Sequence, residues 1–540
     1  MVSHNNTEKF NDFGIKLIPR ILTQVCRDPD SPNFGSFDRN WWHYKIRSFP
    51  SIILQQGAYS LYVISKLPIM SNKEIELNKI ISAACIFWNK RATKRGAFEE
   101  YYPWEKGYPP LAFSTLSIVK LVTLGVVKVD EISPGLNKAA NQLLNRFEEQ
   151  ALNQQLAGLA ALSWIRVISP ELIPESKFSL IIEKTLALQK AEGWFNEYGG
   201  PDLGYLSVSI DCLWELYDAT GDEQFIHSAQ KALKFIQKFV FLPSRGLGMH
   251  NARNTDYIVP YGISRFITAQ NEDSVLALQI FNRIYDGVDL PDHFLWAIDD
   301  RYLCHYIGLS IFKTMLLTDS FDYQGLNEKK RNSEIILEDE YLNECGYFIS
   351  HGRNKLKKKA VISLKKGGVF TVWVEKGWAS DYGWIVNKGK RYWCSHWWDD
   401  SLIVKRTEDS FNIKGFLIPY RETISTPFKH FVLNFLSFFF GELIISILKN
   451  KLIFKKNSMQ TKIQFERTIN FENHSLVVID NFFGLPSNAE FKRATRSSKR
   501  HVASANLFHA EDLTLLSEFK REEIMKYNNR IHEIKTTYLF

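Results

Sequence analysis

The sequence predicts two structural parts, an N-terminal α/α toroid and a C-terminal antiparallel β-sandwich. Amphipathic helical stretches follow one another from about Ile52 to Leu317, a loop motif repeats among them, and short runs of alternating apolar and polar residues follow from about Gly346. Because one hydrophobic core rarely grows beyond about 250–300 residues, a chain of 540 residues is expected to form at least two domains.

The first part consists of helices separated by loops. The stretches SIILQQGAYSLYVISKL, PPLAFSTLSIVKLVTL and LAGLAALSWIRVI carry apolar residues at helical spacing, and Gly, Pro and Asp interrupt the series. We therefore predict a toroid domain at residues 1–320.

An internal repeat indicates how these helices are arranged. The segments GAFEEYYPWEKGY, from Gly96, and GWFNEYGGPDLGY, from Gly193, share Gly, Phe, Glu, Tyr, Gly and Tyr at an offset of about 97 residues. Each copy follows one helical stretch and opens the next, as in stacked helical hairpins whose loops gather on one face. A looser third loop, GLGMHNARNTDYIVPYG from Gly246, is expected on the same face of the ring.

The character of the sequence changes after the helical series. A polar, charged stretch is predicted to be a linker at residues 321–345. Runs such as GGVFTVWVEKG, TKIQFERTINF and SLVVIDNFFG then alternate with a period of two and are rich in β-branched and aromatic residues. They predict an antiparallel sandwich at residues 346–540.

Composition narrows the choice of partners. The net charge of +8 suits a polyanionic partner, which could be nucleic acid, an acidic polysaccharide or anionic lipid. The 14 Trp residues offer flat faces on which sugar rings stack, although many of them are expected in the core. The six cysteines have no zinc-like spacing and are predicted to be free, buried thiols. The first residues have no charged region followed by an apolar one, so a cytoplasmic location is expected.

A Phe-rich segment, HFVLNFLSFFFGELIISILKNKLIFKK from His430, fits neither domain well. Asn434, Glu442 and Lys449 interrupt its apolar stretch, which argues against a spanning helix. We interpret it as a helix or strand pair that covers the sandwich core. The alternative is peripheral membrane contact through a surface helix. Its apolar stripe would consist of Phe435, Phe438, Phe439, Leu443 and Ile447, and its basic end of Lys449, Lys451, Lys455 and Lys456.

Three loops and one Trp-rich run carry the candidate chemistry. Carboxylates beside aromatic rings suit glycoside hydrolysis, although acidic residues are also common at helix starts. The run SHWWDD places His396 among Trp residues, where it is either a packed residue or a proton carrier. The sequence has no P-loop, GxSxG or HExxH motif. The substrate-binding candidates are Glu100, Tyr102, Trp104, Trp194, Glu197, Tyr198, His250, Asn251, Arg253 and Tyr257.

The order of these segments resembles the heparinase II/III-like family of polysaccharide lyases, which have an α/α toroid followed by a β-sandwich. The run ALNQQLAGLAAL is similar to the family's pattern of an Asn that opens a helix, and it places Asn153 at that position, with Gln154 where the family usually has His. The segment EGWFNEYGGPDLGYLSVSIDCLWEL places Glu197 and Tyr205 at the family's Glu and Tyr positions. His396 corresponds to a His near the start of the sandwich.

The resemblance implies β-elimination on a uronic acid-containing polysaccharide, without cofactor or metal. Asn153 would bind the uronate carboxylate and stabilise the enolate-like intermediate. Tyr205 or His396 would take the C5 proton, with Tyr198 as an alternative to Tyr205. Arg253 and His250 would supply the positive charge that a tyrosine base needs.

The sequence leaves two other functions open. One is a hydrolase that uses Glu100, Glu197 or Asp202, and the other is a glycan-binding or exopolysaccharide-assembly protein without turnover. The expected partner in each case is an acidic polysaccharide or oligosaccharide, and not a nucleic acid.

Overall fold

A computed structural model of the chain describes residues 2–93, 98–243, 247–323, 325–326, 338–353, 357–374, 377–407, 409–420, 426–440, 443–444, 447, 462–473, 475–485, 488–495, 498, 521–528 and 531–539. The glycines that open two of the predicted loops, Gly96 and Gly246, lie outside these residues. So do most of the predicted linker and the lysines of the predicted basic end, Lys449, Lys451, Lys455 and Lys456.

Helices occupy the N-terminal part of the described chain. They are α1 (Val2–Gln24), α2 (Arg39–Trp42), α3 (Gly57–Ser65), α4 (Glu74–Thr93), α5 (Tyr108–Thr123), α6 (Val129–Leu144), α7 (Leu152–Ile168), α8 (Glu175–Leu186), α9 (Leu203–Thr220), α10 (Gln224–Val240), α11 (Tyr261–Thr268), α12 (Ser274–Tyr285), α13 (Asp300–Leu303) and α14 (Tyr306–Met315).

Six of these helices form a closed inner ring. Helices α3, α5, α7, α9, α11 and α14 contact one another in that order, and α14 returns to contact α3. Helices α1, α4, α6, α8, α10 and α12 pack around them. The sequence explains the two layers, because α5, α7 and α9 are apolar on nearly every side and buried, whereas α8 buries only Phe178, Ile181 and Thr185.

The C-terminal part is built from antiparallel strands. They are β1 (Glu340–Leu342), β2 (Tyr347–His351), β3 (Lys359–Ser363), β4 (Val369–Val374), β5 (Gly377–Asp381), β6 (Trp384–Lys388), β7 (Arg391–Cys394), β8 (Ile403–Arg406), β9 (Ser410–Phe416), β10 (Ile418–Pro419), β11 (Gln464–Phe471), β12 (Ser475–Phe483), β13 (Glu490–Arg493), β14 (Arg521–Asn528) and β15 (Ile531–Leu539). The sheet orders are β1-β2-β3-β4-β5, β10-β7-β6-β13 and β14-β15-β12-β11-β9-β8.

The first sheet lies between the toroid and the rest of the sandwich. Since successive side chains of a strand point to opposite faces, Phe348 and Phe370 join the sandwich core with Phe411, whereas Tyr347 and Val361 join the core of the toroid. The α/α toroid and antiparallel β-sandwich predicted from the sequence are therefore confirmed. The domain limits at 320 and 346 stay predictions; α14 ends at Met315 and β1 begins at Glu340.

One interpretation of the sequence is wrong. The first part of the Phe-rich segment lies in helix α15 (Pro427–Phe440), and the aromatic residues of that helix do not cover the sandwich core. Phe435, Phe438 and Phe439 are each at least half exposed, as is Leu443 beyond the helix. Periodicity identified the apolar stripe but does not determine which side of a helix faces the protein.

Two further properties concern only the described residues. Among them, no helix has the length and apolar character needed to cross a bilayer, and no three His, Cys, Asp or Glu side chains are grouped as a metal site would require. All six cysteines are buried, and none of them forms a disulfide bond with another described residue.

Candidate functional site on the loop face

Three loops gather at one end of the toroid. Loop A (residues 98–107) precedes α5, loop B (residues 193–202) precedes α9 and loop C (residues 247–260) precedes α11. Loop B pairs with the residue before α7 through the bridge Ala151–Glu197, and loop C joins loop B through a hydrogen bond from the Ala252 N–H to the Pro201 carbonyl at 2.9 Å. Loop A reaches the same end, because its Glu100 pairs with Arg301 of α13 and the next helix, α14, contacts Tyr257 of loop C through Tyr306. The sequence repeat therefore places its loops on one face of the ring.

Asn153, the first candidate, holds the carboxylate of Glu197. Its backbone N–H donates to Glu197 Oε1 at 2.8 Å and its side-chain Nδ2 donates to Oε2 at 2.6 Å. Both residues are buried. Burial raises the pKa of Glu197 well above its usual value, and the two hydrogen bonds from Asn153 oppose that shift.

Tyr198 lies beside this pair with a cation and an amide around its ring. Its phenol oxygen accepts a hydrogen bond from Gln154 Nε2 at 3.0 Å, and the Arg253 guanidinium carbon is 4.2 Å from the ring centre. Burial raises the pKa of Tyr198, while Arg253 opposes the increase. The backbone of Tyr198 is left-handed, with φ 58°, a conformation that is uncommon for a residue with a side chain and is enriched at functional sites.

Asp202 connects loops B and C. It caps α9 by accepting the Tyr205 N–H at 3.2 Å, and its other oxygen accepts the Arg253 N–H at 3.0 Å. Asn251 strengthens the junction, because its Oδ1 accepts the Leu203 N–H at 3.2 Å. This network sets the position of Arg253, whose Nε atom is buried and has no hydrogen-bond partner among the described residues.

Tyr205 and Tyr257 belong to an aromatic group inside the mouth of the ring. Their ring centres are 6.4 Å apart in an edge-to-face arrangement, and the hydroxyls of Tyr257 and Tyr306 are 2.6 Å apart. Both candidates are more than nine-tenths buried. Tyr198, which is less buried, is therefore closer to the surface of the loop face than Tyr205 is.

The carboxylates of loop A are held by neighbouring groups. Glu100 forms an ion pair with Arg301, and Glu105 Oε2 accepts the backbone N–H groups of Glu100, Tyr101 and Tyr102 at 3.0–3.2 Å. Trp104 contacts Phe438 of α15 edge to face, with ring centres 5.9 Å apart. Glu100 and Glu105 thus fix the shape of the loop that carries Tyr102 and Trp104.

Trp194 and His250 are buried away from solvent. The Trp194 indole N–H donates to Glu192 at 3.0 Å. The two ring nitrogens of His250 lie 2.8 Å from Ser363 Oγ and 3.0 Å from Thr371 Oγ1, both in the sandwich. Burial lowers the pKa of His250 to about 3, so it is neutral at pH 7 and cannot supply the positive charge expected of it. That part of the hypothesis is corrected, and His250 joins loop C to the sandwich.

His396 lies in the sandwich segment that reaches loop B. Its Nε2 is 2.9 Å from the Ser498 carbonyl, and burial lowers its pKa to about 4. Two residues later, Trp398 packs against loop B so closely that a Cβ atom on Gly200 would lie 2.2 Å from Cε2 of the indole. This segment of the sandwich therefore contacts the toroid through Trp398. The catalytic role of His396 stays a prediction.

Sequence reasoning missed several residues of this face. Arg301 lies about 200 residues along the chain from its partner Glu100. Buried Lys366, in the sandwich, donates to the Asn251 carbonyl and to Asn254 Oδ1 of loop C. No local pattern in the sequence could indicate either contact.

Comparison with known proteins shows a likeness in fold. No protein-family model and no curated protein matches the chain. The structure is similar to chondroitin AC lyase from Streptomyces coelicolor A3, solved in complex with chondroitin sulphate, with a TM-score of 0.50, 8% identity, and 99% of this chain and 77% of that chain covered. The structure also matches Paenibacillus xanthan lyase, with a TM-score of 0.44, 7% identity, and 90% of this chain and 46% of that chain covered. It matches heparinase III with a TM-score of 0.39, 10% identity, and 91% of this chain and 73% of that chain covered. The predicted resemblance to polysaccharide lyases is confirmed at the level of the fold.

Proposed function

We propose that this protein is a polysaccharide lyase that cleaves a uronic acid-containing polysaccharide by β-elimination. The observation that carries the proposal is the group formed by Tyr198, Gln154 and Arg253. A phenol, an amide donor and a guanidinium meet on the loop face of a toroid-and-sandwich fold, and the similar structure of chondroitin AC lyase holds chondroitin sulphate.

The reaction needs a proton carrier and a group that neutralises the uronate carboxylate. We assign to the Arg253 guanidinium and the Gln154 amide the binding of the uronate carboxylate, to which Asn153 donates its second amide hydrogen. Positive charge and hydrogen-bond donors at this carboxylate stabilise the enolate-like intermediate. Tyr198, as the phenolate, takes the C5 proton. The electron pair forms the C4–C5 double bond, the C4–O4 bond breaks, and Tyr198 returns the proton to O4, so that no net proton is consumed.

Tyr198 is preferred over Tyr205 because of its neighbours. A phenol is a base only when deprotonated, and Arg253 favours the phenolate of Tyr198. Since burial holds the pKa of Tyr198 above its usual value, the phenolate fraction increases with pH. The rate is therefore expected to increase from neutral to alkaline pH until the fold fails.

The carboxylates of the loops argue against a hydrolase. Hydrolysis needs an acid and a base or nucleophile that both face the sugar. Glu100 is paired with Arg301, Glu197 with Asn153, and Asp202 caps α9. Each candidate thus already has a partner within the protein.

The test uses a panel of uronate polymers and two assays. Elimination produces an unsaturated sugar that absorbs in the ultraviolet, whereas hydrolysis produces reducing ends without that absorbance. We expect Tyr198→Phe to lower kcat by at least about a hundredfold, the size of a lost acid–base group, and Tyr205→Phe to retain most activity. Full activity of Tyr198→Phe would disprove the assigned role.

The second candidate is glycan binding without turnover. It is favoured by Gln154, which stands where the resemblance leads us to expect His, and by the neutral state of buried His396. It would give saturable binding of the polymer without absorbance or new reducing ends. The cytoplasmic location stays a prediction.

A further inference from the structure

Helix α15 carries a stripe of exposed aromatic side chains, whereas the buried residue of this helix, Ser437, is polar. Phe428, Phe431, Phe435 and Phe439 follow one side of the helix at 55–74% exposure, whereas Ser437, on the opposite side, is fully buried. Neighbouring rings of the stripe contact each other, with centres 6.5 Å apart for Phe431 and Phe435 and 5.0 Å apart for Phe435 and Phe439. A surface helix of a soluble protein normally has the reverse arrangement. The medium outside α15 is therefore expected to be apolar.

The charge of the sequence segment that contains the helix indicates what that medium is. Residues 427–456 contain five lysines and one glutamate, a net charge of +4, which is half of the +8 of the whole chain. Lys429 is exposed on α15 itself, and the other four lysines follow the apolar residues in the sequence. Lysine is depleted at interfaces between proteins, but it is favoured at the surface of an anionic bilayer, beside aromatic rings that enter the acyl boundary.

We propose that α15 docks this protein on the surface of an anionic lipid bilayer. The helix lies in the plane of the surface with the stripe Phe428, Phe431, Phe435 and Phe439 inserted below the headgroups, and exposed Lys429 lies near the lipid phosphates. The proposal does not depend on the lyase activity, since it rests on the exposure and charge of this segment.

Docking would also bring the loop face close to the bilayer. Phe438 contacts Trp104 of loop A, and Asn434 lines a cavity of about 130 Å³ with Phe49 and Trp104. The helix thus rests on the loop that carries the candidate residues Tyr102 and Trp104. A polysaccharide at a membrane surface would reach this face without the protein having to leave the bilayer.

Vesicle flotation with the full chain tests the proposal. The protein is mixed with vesicles of phosphatidylcholine alone, or of phosphatidylcholine with roughly one third phosphatidylglycerol, at low salt. We expect binding to the anionic vesicles that weakens as salt is raised. The triple substitution Phe431→Ser, Phe435→Ser and Phe439→Ser is expected to lower the partition coefficient by at least about tenfold, since it removes three inserted aromatic rings.

A matched control uses exposed apolar residues elsewhere. Ile69, Ile75 and Leu290 are 53–75% exposed, and their replacement by Ser should leave vesicle binding unchanged. Both triple variants should melt within a few degrees of the original protein, because exposed side chains contribute little to the fold. Absence of the protein from the floating fraction at any lipid concentration would overturn the proposal. So would a dimer in solution that the α15 substitutions dissociate, because a second copy would then occupy the stripe.

Discussion

Replacing His250 with Gln is expected to make the fold less sensitive to acid. In the folded protein its ring is buried between loop C and the sandwich, with Ser363 Oγ and Thr371 Oγ1 at its two nitrogens. Burial lowers the pKa of His250 from 6.5 to about 3, with a smaller contribution from Lys366 in the same direction. The folded protein therefore holds the neutral ring over a pH range in which the unfolded chain binds a proton.

The size of the effect follows from these two pKa values. The folded pKa is the lower one, so protons bind the unfolded chain more tightly and stability is lost as the pH falls below 6.5. The full difference between the two pKa values is equivalent to a loss of about 5 kcal/mol in the free energy of unfolding, and this loss is complete only near pH 3. Between pH 7 and pH 5 the contribution of His250 is about 2 kcal/mol, because the unfolded imidazole becomes almost fully protonated over that interval.

Urea unfolding at pH 7 and pH 5, followed by tryptophan fluorescence, measures this contribution. His250→Gln is expected to be less stable at pH 7, since the packed ring is lost, but to lose about 2 kcal/mol less than the original protein on going to pH 5. His227→Gln, at an exposed position, is the control and should keep the original pH dependence. An unchanged loss of stability in His250→Gln would refute the reasoning.

Three other predictions concern buried contacts. Gly200→Ala would place a Cβ atom 2.2 Å from the rigid Trp398 indole, which should lower the free energy of unfolding by about 1–3 kcal/mol in a denaturant titration. Glu215→Gln would remove the charge that faces Lys313 at 2.5 Å and should lower the free energy of unfolding by about 3–5 kcal/mol at pH 7. The pKa of Glu215 in the folded protein is about 2, below the usual 4.5. The difference in stability between the variant and the original protein should therefore shrink as the pH falls from 4.5 towards 2. Arg467→Met, between two buried aspartates, should lower the thermal midpoint by a similar loss of stability.

The fold could be predicted from the sequence because its signals are local. Helical periodicity and the alternation in the strands each depend on residues that are near one another in the chain. The repeat also predicts the common face of the loops, because stacked hairpins of equal length return to the same end. Asn153 and Glu197 are both candidates from the sequence, and they contact each other in the structure.

The choice among candidate residues could not be made in this way. The sequence favours Tyr205 as the base and leaves Tyr198 as the alternative, whereas our proposal of Tyr198 depends on Arg253, which approaches from another loop. The role of His250 was misjudged for a similar reason, because its partners lie more than 100 residues away. Contacts between loops and sheets depend on the tertiary arrangement, which no short pattern in one sequence contains.

The junction between toroid and sandwich has a consequence for any chemistry on the loop face. Loop B is held from three sides: by Asn153 of α7 at Glu197, by Arg253 of loop C at Tyr198, and by Trp398 of the sandwich at Gly200. A catalytic group gains from being held in position before substrate binds. A change at Gly200, although it removes no functional group, should therefore lower the rate of the proposed elimination together with stability. If the rate stayed normal while stability fell, loop B would owe its geometry to the toroid alone.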